Sequence, residues 1–244
     1  MLMPDEGYYF GMGAFETIAV ENGKTILLQK HYGRLRKTAD FLSISLKKKE
    51  IEDEVQKVMT AKDMQSGRKV IKITISEQNL TVTARENIYT DSVYEKGFTA
   101  DFSTVLRNET SPFTYHKTLN YGDSLREKRL AKKRGIDEPV FLNTKGMITE
   151  GACTNVFFAR EGRLYTPSVN CGLLPGILRS YICERYEVIE QEIYPADIPC
   201  YDEMFVTNSL LGIMPVVTLD GYEFLSQDMG RKLLEQYRQF CRAY

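Results

Sequence analysis

Four short stretches of this chain hold residue types that could do chemistry together. In QKHYGRLRKTADFL, His31 and Arg34 are three apart and share a helix face. An arginine held by a helix suits a phosphate, because its planar guanidinium can bind two oxygens at once. In SPFTYHKTLNYGD, Lys117 lies among apolar, aromatic and hydroxyl residues just ahead of a helical pattern. A lysine desolvated there has a lowered pKa and can act as a nucleophile. In ITEGACTNVFF, Glu150 closes a strand before Gly151 and a turn of small residues. A carboxylate in such a place can pair with a protonated pyridine nitrogen. In CGLLPGILRSY, a glycine-containing turn leads into a helix and offers backbone N–H groups to an anion. Taken singly, each stretch also has an ordinary reading: a solvated cation, a strand-end glutamate in a hairpin, a common helix start. His116 could act as an acid or base, but a strand-like stretch points it to the face opposite Lys117.

The elements that must position these residues are legible in the periodicities. AFETIAV and KTILL flank Asn22-Gly23, a strong hairpin signal. His31–Leu42 reads as a helix, with Leu35, Ala39 and Leu42 on one face, and residues 48–61 make a second, more polar helix. RKVIKITIS and LTVTARE are strands rich in β-branched residues, and FTADFS is another. Residues 104–114, aperiodic and containing a proline, read as a linker. Asn120–Arg134 is a helix ended by Gly135. The short strands PVFLN, MITE, NVFFA and RLYTP follow, with turns at Lys145-Gly146 and Glu161-Gly162. Pro175 opens a helix that runs to about Tyr186. EMFVTN and IMPVVTL are strands, and a last helix starts at about Gln227.

Composition bounds the function. The 244 residues are 43% hydrophobic and 27% charged, enough for a core, and the net charge of −1 gives no bulk attraction to nucleic acid or membrane. No apolar stretch is long enough to span a bilayer, and MLMPDEGYYF lacks the pattern of a secretory signal. Five cysteines form no CxxC pair, so a reducing cytoplasm is the expected setting. With two histidines and no Cys/His cluster, no metal site is expected. The basic run Arg126, Lys128, Arg129, Lys132, Lys133, Arg134 could contact nucleic acid. Its interleaved Glu127 and Leu130 fit an amphipathic surface helix better.

Together and in this order, the four segments resemble the class IV aminotransferase family, enzymes of fold type IV that use pyridoxal 5'-phosphate (PLP). The resemblance runs from about Asp5 to Pro215. GYYFGMGAFETI is similar to the family's glycine-rich entry to its first hairpin. HYGRLRKTA is similar to its phosphate-arginine helix, which implies that role for Arg34. HKTLNY implies Lys117 as the Schiff-base lysine, and ITEGACTNVF implies Glu150 as the partner of the pyridine nitrogen. GLLPGILR resembles the phosphate cup, with the N–H groups of Ile177 and Leu178 as ligands, although Leu178 stands where a hydroxyl residue is usual. TNSLLGIMPV places Asn208 and Ser209 among the candidate cofactor ligands. That wording and SPFTYHKTLNY most resemble the aminodeoxychorismate lyase branch; the aminotransferases for D-amino or branched-chain amino acids are the alternative. For a dicarboxylate substrate, the resemblance points to Lys72 and Arg107, with Tyr8 and Thr17 nearby. The family's usual first strand is short or missing before DEGYYFGMG, and SEQNLTVTARE replaces a glycine- and arginine-rich loop.

The implied fold is α/β (α+β) with two lobes: a smaller N-terminal α/β lobe over 1–103, a linker over 104–114, and a larger C-terminal lobe over 115–244. That larger lobe would hold a barrel-like sheet and carry Lys117. The implied partners are a small-molecule substrate and a second copy of the chain in a homodimer, with no nucleic acid and no membrane.

Overall fold

The computed structural model describes residues 2–244, and it divides into two compact units. The first holds the chain up to Ile88, with His116–Tyr121 and Phe240–Tyr244; the second holds Tyr89–Tyr115 and Gly122–Gln239.

In the first unit, α1 (Glu6–Phe10) precedes the hairpin of β1 (Ala14–Glu21) and β2 (Lys24–Thr25). Asn22 and Gly23 both take positive φ, 49° and 81°, as a two-residue hairpin turn of the primed kind demands. The strand expected over KTILL stops at Thr25. Leu27 turns left-handed (φ 55°) and becomes the N-cap of α2 (Leu28–Phe41), so the last residues of that segment enter a helix. Next come α3 (Lys48–Met59), β3 (Arg68–Ile75) and β4 (Leu80–Glu86). The sheet is antiparallel with order β2-β1-β3-β4. Alternate residues of β1 and β3, among them Ile18, Val20, Ile71 and Ile73, bury one face against Leu35 and Ala39 of α2 and Ile51 and Val55 of α3. Asp5 fastens the start of the chain to the β3–β4 turn. Its Oδ2 accepts from Ser76 Oγ (2.6 Å) and the Gln78 amide (3.0 Å), while its Oδ1 caps α1 through the Tyr8 amide (3.0 Å).

The second unit contains α4 (Asp91–Lys96), β5 (Phe98–Phe102), α5 (Gly122–Lys133), β6 (Glu138–Leu142), β7 (Ile148–Gly151), β8 (Asn155–Arg160) and β9 (Arg163–Pro167). It continues with α6 (Ile177–Arg185), β10 (Val188–Gln191), β11 (Glu203–Asn208), β12 (Gly212–Leu219), β13 (Tyr222–Glu223) and α7 (Asp228–Ala243). Its sheet runs β10-β9-β8-β11-β12-β5-β6-β7, with β13 on β12. A further pairing of β7 with β8, at Glu150 and Asn155, closes six strands (β8, β11, β12, β5, β6, β7) into a barrel. Closure satisfies the strand edges that an open sheet would leave unpaired. Phe157 and Phe205, fully buried on neighbouring strands, stack at 5.2 Å. The barrel-like sheet expected from the resemblance is thus present as a mixed, closed structure.

The division falls elsewhere than the sequence suggested. FTADFS, read with the N-terminal lobe, forms β5 and pairs in parallel with β12 and β6. Residues 104–114, read as a linker, belong to the second unit, where Arg107 bridges to Asn143. The lysine segment, read with the C-terminal lobe, groups with the first unit. Thr118 bridges to Ala14, the Phe15 amide donates to the Lys117 carbonyl (3.1 Å), and the Leu119 amide donates to the Gly13 carbonyl (2.8 Å). These pairings join residues about a hundred positions apart, which local periodicity cannot encode. No described helix is long and apolar enough to cross a membrane.

Candidate active site

The first unit contributes two clusters, one on each face of β1. Glu16 lies between Ala14 and Ile18 on the core face and is fully buried. Its carboxylate takes the Arg34 fork bidentately, Oε1 from Nε (2.7 Å) and Oε2 from Nη2 (2.8 Å), while His31 Nδ1 lies 2.6 Å from Oε2. Burial pushes the Glu16 pKa up, but the Arg34 charge and the hydrogen bonds from Arg34 and His31, with a charge on His31 once acid protonates it, outweigh burial and hold the group at about 2. Burial also pushes His31 down, and Glu16 only partly opposes it, so at neutral pH His31 is an uncharged donor to Glu16. Its Nε2 is buried without a hydrogen-bond partner among the described residues. The sequence picked out His31 and Arg34 as one helix face but missed Glu16. The available signal was a carboxylate on the apolar side of the β1 alternation, opposite a helix with two basic residues three apart.

On the other face, Phe15 gathers three of the expected residues. The Lys117 Nζ lies 4.4 Å from the Phe15 ring centre and 5.2 Å from that of Tyr121, and the Lys72 Nζ lies 5.0 Å from Phe15. Thr17 shares the Phe15 face of β1 and sits opposite Lys72 in register. Phe15 and Tyr121 meet edge to face at 5.3 Å. Neither ring was singled out from the sequence; Phe15 is two residues before Thr17, and Tyr121 is four after Lys117. The backbone of Lys117 is held on both sides, its amide donating to Thr38 Oγ1 (3.3 Å) and its carbonyl accepting from Phe15. His116 instead stacks on Phe41, ring centres 4.1 Å apart. Tyr8, on α1, is 73% exposed and packs edge-on against Tyr9.

The second unit holds the remaining candidates. Glu150 ends β7. Its Oε2 accepts from the Leu174 amide (3.0 Å), and its Oε1 lies 3.1 Å from Arg107 Nε, an ion pair by distance whose angle is too poor for a hydrogen bond. Arg107 also donates from Nη2 to Ser124 Oγ (2.8 Å) and lies over the Phe141 ring at 3.9 Å. After Glu150 the chain must be glycine: a Cβ on Gly151 would fall 2.2 Å from Thr154 Oγ1 and 2.5 Å from Glu138 Oε1. The fully buried Glu138 shapes this turn by accepting from the Cys153 amide (3.0 Å) and Thr154 Oγ1 (2.9 Å).

α6 begins at Ile177, two residues after the expected proline start, with Gly176 as an N-cap that makes no side-chain cap. The first turn, with Ile177 and Leu178, therefore keeps the anion-binding character of a helix N-terminus. A Cβ on Gly176 would come within 2.0 Å of Asn155 Oδ1. Asn155 Nδ2 in turn donates to the Leu174 carbonyl (2.9 Å), so Leu174 is tied to Glu150 through its amide and to Asn155 through its carbonyl. Ser209 lies in the turn after β11. Asn208 clasps that turn: its Oδ1 accepts from the Leu210 and Leu211 amides (2.9 Å each), and its Nδ2 donates to the Cys153 carbonyl (3.1 Å). In the basic run along α5 and just after it, Arg126 pairs with Glu127, Lys128 with Glu138 and Arg134 with Asp101. No group of three or more metal-ligating side chains occurs among the described residues.

The first unit offers an amine flanked by aromatic rings, and the second offers a helix N-terminus without a side-chain cap and a carboxylate held at a strand end; each is a group of the kind that suits one part of PLP. The sequence model of the family described as Amino-transferase class IV matches residues 13–219, and the chain belongs to that family. It is 29% identical over 257 residues to a Methanocaldococcus jannaschii protein assigned as a branched-chain-amino-acid aminotransferase, covering 96% of this chain and 88% of the relative. It is 26% identical over 247 residues to the aminodeoxychorismate lyase of Bacillus subtilis, covering 91% and 83%. Among solved structures, a hypothetical aminotransferase from Mycobacterium tuberculosis in its PLP-bound form superposes with a TM-score of 0.84 at 20% identity, covering 96% and 92%. At that identity the likeness concerns the fold.

Proposed function

We propose that this member of the class IV aminotransferase family is a PLP-dependent 4-amino-4-deoxychorismate lyase, yielding 4-aminobenzoate and pyruvate. The observation that carries the reading is the pair of amines on one aromatic ring, Lys117 and Lys72 over Phe15. One amine is suited to move a proton. The other is a cation suited to a substrate with two carboxylates. The TNSLLGIMPV wording and the likeness to the B. subtilis lyase support the same branch.

Lys117 would hold the cofactor through its Nζ, Glu150 would face the pyridine nitrogen, and Arg34, the N–H groups of Ile177 and Leu178, and Ser209 would take the phosphate. When bound, PLP supplies a protonated ring that accepts the electron pair left as a proton leaves the amine-bearing carbon. Released when the substrate amine takes its place, Lys117 Nζ would accept that proton as the general base, with Phe15 and Tyr121 limiting where the amine can move. Glu150, held by the Leu174 amide and Arg107, would present its carboxylate to the ring N–H. Lys72 Nζ attracts a carboxylate. Loss of the enolpyruvyl oxygen from the neighbouring carbon makes the ring aromatic. The two products together hold every atom of the substrate, so no water and no second keto acid is consumed.

The test is to incubate PLP-loaded protein with 4-amino-4-deoxychorismate and quantify 4-aminobenzoate and pyruvate, with Lys117→Ala as control. Equimolar products that vanish in the variant establish the lyase. The 29% identity to the M. jannaschii relative favours an aminotransferase as the second reading. That reading is established if PLP-loaded protein makes no 4-aminobenzoate but transfers the amino group of a branched-chain or D-amino acid to 2-oxoglutarate.

A further inference from the structure

Arg107 suits a substrate carboxylate by its chemistry, but its surroundings assign it other work. Its backbone is built into the barrel unit, with its amide donating to the Leu142 carbonyl (2.8 Å) and a parallel bridge to Asn143. Its guanidinium is restrained on three sides: by Ser124 Oγ at 2.8 Å, by the face of the fully buried Phe141 at 3.9 Å, and by Glu150 Oε1 at 3.1 Å. The Arg107 and Glu150 side chains are 16% and 10% exposed. Ser124 itself is buried on α5. An arginine that must reach for a mobile substrate needs a side chain with freedom, and this one is stacked, hydrogen-bonded and paired at once.

We infer that Arg107 is a positioning residue for Glu150: it keeps that carboxylate charged and aimed, and it does not bind the substrate. An adjacent guanidinium favours the ionised carboxylate over the neutral acid. The Leu174 amide fixes the other oxygen. The Leu174 amide and Arg107 thus hold the two carboxylate oxygens of Glu150 from different sides. Without Arg107, Glu150 would take up a proton at higher pH and could then no longer act as the anionic partner of a ring nitrogen. This inference rests on the proposed role of Glu150 toward PLP.

The two roles for Arg107 separate experimentally. The carboxyl resonance of Glu150 can be followed by 13C NMR through a pH titration of the full chain before PLP loading, in wild type and in Arg107→Gln. A positioning role predicts that the variant titrates higher by about one to three pH units. After PLP loading, it also predicts that the acid limb of the cofactor's absorbance profile moves to higher pH, that kcat falls at least tenfold and that KM changes less than threefold. Arg107→Lys, which keeps the cation, should restore part of both the titration and kcat, and it carries the test if Arg107→Gln does not fold. An unmoved Glu150 titration, or a KM raised tenfold with kcat and absorbance unchanged, overturns the inference and returns Arg107 to the substrate. If the wild-type chain does not take up PLP, or if Glu150→Gln leaves the absorbance of bound PLP as it is in wild type, the reading of Glu150 fails first and this inference goes with it.

Discussion

Glu16 changes how its neighbours must be understood. Its carboxylate balances the Arg34 charge, and with His31 neutral the three groups sum to about zero. Under the proposed function, Arg34 would therefore offer a phosphate directed N–H groups more than a net charge, and most of the anion attraction would be left to the α6 N-terminus. Arg34→Ala is accordingly no simple phosphate deletion, because it leaves a buried carboxylate with His31 alone. The pH dependence follows from the same cluster. The folded-state pKa of Glu16 is held at about 2, below its ordinary 4.5, so its contribution is fully present above about 4.5 and is lost as pH falls toward 2. The shift corresponds to about 3 kcal/mol. His31, also depressed, begins to cost stability as pH falls below 6.5, where the unfolded chain takes up a proton first. Glu16→Gln should destabilise the protein by about 3 kcal/mol at pH 7, since it leaves a largely covered guanidinium without its counter-charge. Its stability deficit against wild type should shrink between pH 4.5 and 2. Urea unfolding at a series of pH values measures this, and a deficit independent of pH would contradict the account.

At the scale of elements, the segments that carry Glu150 and the α6 N-terminus depend on close approaches that only glycine permits. Gly151 lets β7 turn tightly against Glu138 and Thr154, and Gly176 lets α6 start against Asn155. Gly176→Ala should push Asn155 away, loosen its bond to the Leu174 carbonyl, and displace the first turn of α6. If that turn holds the phosphate as proposed, two or more hydrogen bonds to it would be affected, each worth about 1.5–3 kcal/mol when charged. The expected result is PLP binding weakened by at least tenfold, measured by fluorescence titration, while the circular dichroism spectrum stays that of wild type. Unchanged PLP affinity would remove the α6 N-terminus from the site. Leu178 marks a related point: its side chain is buried in the core, so its position can contribute an N–H to an anion with no hydroxyl.

For the whole molecule, the candidate residues are divided between the two units. The first holds Lys117, Arg34 and Lys72; the second holds Glu150, the α6 N-terminus and Ser209. The chain passes between the units at Tyr115–His116 and again at Tyr121–Gly122, so Lys117 lies on a six-residue excursion from the second unit to the first. The family resemblance also implies a homodimer. Light scattering of the PLP-loaded protein should then give twice the 28.1 kDa of one chain, and a mass of 28.1 kDa at micromolar concentration would rule the dimer out.

Several features were legible without the structure because they are local. The Asn22-Gly23 turn, the β3 and β4 strands and the α2 and α5 helices follow from turn chemistry and side-chain period, which depend only on near neighbours. The identity of Lys117, Glu150 and Arg34 as candidates came from motif order, which is also written along the chain. Local patterns could not reveal which sheet β5 joins, which unit takes the lysine segment, or that β7 returns to β8 to close the barrel. Those are pairings between distant residues, selected by total burial and hydrogen-bond satisfaction. The same holds for partners: the sequence names Glu16 and Arg107 as charges, and only tertiary packing decides that one is buried beneath Arg34 and the other is placed beside Glu150.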